Sequence, residues 1–100
     1  MTEIGITWGY ARISSVTQHE DRQIKKLLEF GVDERHILVD KESGGTLNRD
    51  EYQLLKTKLL RAGDNLVIEE LDRLARKKID IKRELEEFKA MGVRVKILDI

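Results

Sequence analysis

Arg12 and Ser14 stand two residues apart in the stretch YARISSVTQ (10–18), and Arg49, Arg73 and Arg76 follow in the stretches NR and LDRLAR. A hydroxyl among guanidinium groups suits attack on a phosphoryl group. The planar forks match phosphate oxygens and, held in place, stabilise the charge that spreads during displacement. Asp40 and Ser43, with Gly44 and Gly45, in DKESGG, and Asp72 beside Arg73, are further residues within reach of such a site. Other phosphate chemistries fit less well. The chain has no cysteine for a thiol phosphatase and no G-x-x-x-x-G-K-[ST] loop to cradle a nucleoside triphosphate. It also lacks the carboxylate pair after the first strand that magnesium-dependent transfer on such a sheet would use. Serine chemistry with no metal and no cofactor is what these residues leave.

Residues this far apart meet only if the chain folds their loops onto one edge. ITWGYARI reads as a buried strand ending near Ile13. Thr17 and Glu20 have capping-box spacing for a helix with an apolar stripe of Ile24, Leu27 and Leu28, stopped by Gly31. HILVD (36–40) is a second strand and KESGGTLN a glycine-containing loop. Asn48 and Glu51 cap a helix whose apolar face is Tyr52, Leu55 and Leu59, ending at Gly63. NLVIEEL (65–71) is a third strand, followed by the short basic stretch DRLARKK. A helix burying Ile81, Leu85 and Phe88 then runs to Gly92, before a last strand, VRVKIL (93–98).

This alternation predicts an α/β fold: a mostly parallel sheet of four or five strands, flanked by helices on both faces, with right-handed crossovers. Ligands bind such sheets at the carboxyl ends of the strands, so the loops after Ile13, Asp40 and Leu71 should share one rim. Arg12 and Ser14 then alternate onto the same side of the first strand. If DRLAR opens a helical turn, Arg73 and Arg76 lie on one face of it. Plainer roles compete. Adjacent serines before a helix are ordinary caps, Asp72 and Arg76 have the spacing of a helical ion pair, and SGG is a common turn. His19 and His36 read as solvated or structural, and Trp8 and Tyr10 as core.

Composition bounds the rest. One hundred residues, 40% hydrophobic and 38% charged, make one domain with a single chain-wide core. The 19 basic and 19 acidic residues cancel, so any anion site must arise from local clustering. No membrane span or signal segment is legible, and the expectation is a soluble, cytoplasmic protein with no membrane partner and no small-molecule substrate. The chain stops at Ile100 after an apolar strand, which suggests a catalytic domain cut from something longer.

Taken in order, YARISSVTQ, Gln23, the D-x-x-S-G of Asp40, Ser43 and Gly44, NR at 48–49, GD at 63–64 and LDRLAR at 71–76 resemble the resolvase/invertase family of serine site-specific recombinases. The resemblance covers nearly the whole chain. It departs at Ala75, where glycine is frequent, and at Ser15, where threonine is common. It implies DNA as substrate and Ser14 as the nucleophile that forms a covalent 5′-phosphoserine link and frees a 3′ hydroxyl. Arg12, Arg73 and Arg76 would hold the scissile phosphate, and Asp72 would position an arginine or take part in proton transfer. Gln23, Asp40, Ser43 and Arg49 would support them. The resemblance further implies a parent protein that continues into a dimerisation helix and a helix-turn-helix module, and that forms a homodimer assembling to a tetramer on DNA. A related domain kept for assembly or DNA-site regulation, without cleavage, is the alternative.

Overall fold

A computed structural model of the chain describes residues 5–14, 20–43, 46–47 and 49–99; Ser14, Glu20, Asp21, Ser43, Thr46 and Leu47 are described through their backbone alone. Thr17 and Asn48, the expected caps, and His19 lie outside the described residues.

Five strands form one sheet: β1 (Thr7–Ser14), β2 (Ile37–Ser43), β3 (Thr46–Leu47), β4 (Asn65–Ile68) and β5 (Arg94–Ile97), in the order β3-β2-β1-β4-β5. All neighbours pair in parallel except the two-residue β3, which runs antiparallel to β2. Helices α1 (Glu20–Phe30), α2 (Asp50–Leu54) and α3 (Lys78–Met91) connect them. The expected fold class is thus the observed one.

Alternation along the central strands separates two apolar layers. Tyr10, Leu66 and Ile68 join Leu38, Tyr52 and Leu55 beside α2 and Phe88 of α3, whereas Ala11 and Val67 meet Leu27 of α1 and Val32. Gly9 lets α1 come close: a Cβ there would sit 3.2 Å from both Leu27 and Val32 side chains. On α1 the buried residues are Gln23 and Leu27, four apart, so Leu28 turns outward and is 42% exposed instead of completing the expected stripe. Gly92, at φ 81°, ends α3 in the left-handed conformation that glycine adopts freely.

Three boundaries differ from the sequence reading. β2 runs on through Lys41–Ser43, because pairing with β1 up to Ser14↔Glu42 satisfies its backbone despite polar side chains. After Leu54 the helix widens to a π turn over Leu55–Leu59, closed by Leu60 N–H to Leu55 C=O at 2.9 Å, and it ends there with Leu60 extended rather than at the expected Gly63. The wider turn puts both Leu55 and Leu60 in the core. β4 stops at Ile68, and Leu71 belongs to a 3₁₀ turn (Leu71–Arg73) rather than to the strand.

Candidate active site at the carboxyl edge of the sheet

β1, β2 and β4 are mutually parallel, so Ser14, Ser43 and the segment after Ile68 come out at the same edge. β1 outruns β4: its last pair with β4 is Tyr10↔Ile68, and with β2 it is Ser14↔Glu42. The backbone of Arg12 would be left bare beyond β4. Gln23 of α1 fills the gap, its amide accepting from Arg12 N–H at 3.4 Å and donating to Arg12 C=O at 2.9 Å. A buried side-chain amide thereby serves as a substitute strand and fixes the backbone just before Ser14.

Asp40 does not open toward solvent. It is 2% exposed, and its two oxygens accept from Glu51 N–H (2.9 Å), Tyr52 N–H (3.0 Å) and Tyr10 O–H (2.6 Å). Those amides are orphan donors of the first turn of α2, so Asp40 is a helix cap supplied from a neighbouring strand. Arg49, the residue before α2, makes no side-chain cap of its own. It donates instead to Leu74 C=O at 2.8 Å and Arg73 C=O at 3.4 Å, and its guanidinium lies 3.9 Å from the Tyr52 ring centroid. Asp40 therefore sets the start of α2, the Tyr52 ring of that turn seats Arg49, and Arg49 holds the turn that carries Arg73.

Three of the arginines gather. The Arg12 guanidinium is held below its ordinary pKa, first by burial and then by the like charge of Arg73, with Arg49 adding to it and Asp72 opposing. Arg12 Nη1, Arg49 Nε and Arg73 Nε are each buried with no hydrogen-bond partner among the described residues. Arg73 has acidic neighbours, Asp72 at 3.7 Å and Glu70 at 4.0 Å. Unpaired buried donors are costly, and several in one place form a site preset for an anion.

Arg76 differs. The 3₁₀ turn closes at Arg73 and α3 begins only at Lys78, so Arg73 and Arg76 do not share a helical face as expected. Nor does Arg76 pair with Asp72: it is 61% exposed and reaches back to Glu42 of β2 at 3.0 Å. Ser14 and Ser43 end their strands, and their hydroxyls lie outside what is described, as do Ser15, Gly44 and Gly45. His36 packs against Trp8 with the rings tilted at 51° and their centroids 4.9 Å apart, in a structural role. Among the described residues no group of three or more His, Asp or Glu side chains is arranged to hold a metal ion. The cavity lined by Thr7, Phe30, Asn65, Val67, Arg94 and Lys96 shares no residue with this edge.

Sequence reasoning missed Tyr52 and Glu42 as partners of the arginines. Tyr52 carried a signal, since it follows Arg49 by three residues at a helix start. Glu42 carried none, because its tie to Arg76 spans 34 positions.

A family model described as "Resolvase, N terminal domain" matches residues 7–100. The chain is similar to the transposon Tn3 resolvase of Escherichia coli, at 39% identity over 92 residues (92% of this chain, 49% of that protein). It is 41% identical to the R46 site-specific recombinase of Escherichia coli over 92 residues (92% and 48%). A resolvase of Clostridium perfringens is 36% identical over 88 residues (88% and 46%). The chain thus spans about half the length of these relatives.

Proposed function

The chain belongs to the resolvase family through its N-terminal domain, and on that premise we propose that it is the catalytic domain of a site-specific DNA recombinase that works through a phosphoserine at Ser14. Ser14 Oγ attacks the phosphorus of a DNA phosphodiester. The P–O3′ bond breaks, the 3′ oxygen takes up a proton and leaves as a hydroxyl, and the serine gives up its own proton. The 5′ phosphate stays on the serine as a diester. One diester has replaced another, so the bond energy is kept, and attack by the 3′ hydroxyl of a different strand reseals the DNA and restores the serine.

The observation that supports this most is the set of buried guanidinium nitrogens on Arg12, Arg49 and Arg73, without hydrogen-bond partners among the described residues, at the edge where β1 ends in Ser14. Arg12 and Arg73 stabilise the charge that develops on the phosphoryl oxygens, and Arg76 adds a third cation from the exposed side. Asp72, beside Arg73, orients it. Gln23, Asp40 and Arg49 act through positioning, and Ser43 flanks the site from the end of β2. DNA is the substrate, and the natural protein acts as a homodimer that assembles to a tetramer on it.

The test is incubation of the natural full-length protein with a nicked suicide duplex that traps cleaved intermediates. A slow-migrating protein–DNA species on a denaturing gel is expected, and Ser14→Ala should abolish it. Its absence in the unmutated protein on cleavable DNA would favour a domain kept for assembly or DNA-site regulation without cleavage.

A further inference from the structure

Arg76 is held differently from the other arginines of the edge. Arg49 is anchored on backbone carbonyls and a tyrosine ring, and the Arg73 side chain is 18% exposed. Arg76 is 61% exposed and, among the described residues, tied by one contact, Nη2 to Glu42 Oε2 at 3.0 Å. Glu42 is the register partner of Ser14 on the adjacent parallel strand. Neighbouring strands lie about 4.8 Å apart, so Glu42 belongs to the spot at which a phosphate reaching Ser14 would arrive. Resting on the reading of this edge as a phosphodiester site, we propose that Glu42 is an internal competitor of the DNA phosphate: its carboxylate occupies Arg76 in the DNA-free protein and must release it before Arg76 can engage a phosphate.

The chemistry of the two anions supports the exchange. Carboxylate and phosphodiester each present a pair of anionic oxygens, and the planar fork of the guanidinium takes either. The pair with Glu42 is monodentate, with Arg76 mostly exposed and Glu42 31% exposed, so solvent screens it and it is weak enough to yield. Once a phosphate is bound, the freed carboxylate lies against it with like charge, which screening by solvent reduces without cancelling. Small anions lack the additional contacts to overcome this. A DNA strand, with neighbouring phosphates held by other parts of the protein, has them. Arg76 is thereby kept for DNA that is already docked.

The test is a two-by-two comparison in the natural full-length protein: unmutated, Glu42→Gln, Arg76→Gln and the double variant. Binding of a fluorescein-labelled duplex of about 30 base pairs is followed by anisotropy at about 50 mM salt. Glu42→Gln should tighten binding by about 2- to 5-fold when Arg76 is present, the range set by an exposed ion pair, and leave it unchanged in the Arg76→Gln background. Equal tightening in both backgrounds would reduce Glu42 to a bulk charge and overturn the proposal, as would no tightening or weaker binding in Glu42→Gln. Adduct formation on suicide DNA is read in parallel. Arg76-dependent tightening with no adduct in any variant would uphold the competitor and refute the recombinase reading. Adduct formation without Arg76-dependent tightening would do the reverse.

Discussion

Asp40→Ala tests how the edge is built, because the three hydrogen bonds to this buried carboxylate make distinct contributions. Losing a helix cap costs about 0.5–2 kcal/mol. Stranding the Tyr10 hydroxyl, in a side chain that is 0% exposed, costs about 1–3 kcal/mol more. The sum, about 2–5 kcal/mol, stands against about 5–15 kcal/mol for a domain of this size, so the variant folds but loses much of its margin. In urea, followed by far-ultraviolet circular dichroism, the midpoint should fall by about 1–3 M. Tyr10→Phe removes the stranded donor, so in that background Asp40→Ala should cost less, with a coupling of about 1–3 kcal/mol. A loss below about 1 kcal/mol, or costs that simply add, would show that Asp40 does not anchor α2 and Tyr10 together.

Gln23→Ala bares the Arg12 amide and carbonyl beside β4 and should cost about 1–3 kcal/mol in the same urea assay, with a slower adduct as Arg12 loosens; an unchanged midpoint would deny Gln23 its strand-like role. Arg73→Ala should slow adduct formation by about 10²–10³-fold on suicide DNA at unchanged stability, and a loss under about 10-fold would remove Arg73 from charge stabilisation. Tyr10 and Tyr52 are the two tyrosines of the chain, and burial first, then hydrogen bonds to Asp40 and Glu84 respectively, push both phenols well above their ordinary range. The folded protein keeps protons there that the unfolded chain loses from about pH 10 upward, so stability is full below that pH and falls as pH rises beyond it. Absorbance at 295 nm should stay flat in the native protein to about pH 11 while the urea-unfolded chain titrates near 10; native titration near 10 would contradict the burial.

Much of the fold was legible because burial on both faces of a sheet leaves continuous apolar runs. Tyr10 and Ala11, or Leu66 and Val67, are neighbours in sequence that feed opposite layers. Helix stops at Gly31 and Gly92 were legible for a local reason: both glycines have positive φ. What was not legible depends on distant partners. The polar stretch Lys41–Ser43 gives no strand signal, yet β1 offers it a ladder. The role of Asp40 rests on amides 11 and 12 positions away. In the site, the arginines stood out as a group by residue type alone, but Arg12, Arg49 and Arg73 are half-buried whereas Arg76 is exposed, and the parting of Arg73 from Arg76 follows from where the 3₁₀ turn ends, which no spacing rule sets.

The phosphoserine itself is the most direct object to measure. The natural full-length protein is trapped on a nicked suicide duplex, digested with protease and nuclease, and the nucleotide-bearing peptide is sequenced by mass spectrometry. The account predicts a 5′-linked nucleotide phosphate on Ser14, with a free 3′ hydroxyl on the other strand end and no such peptide from Ser14→Ala. A phosphate mapped to Ser15 or Ser43, a 3′-phosphoryl linkage, or an adduct that survives in Ser14→Ala would contradict it.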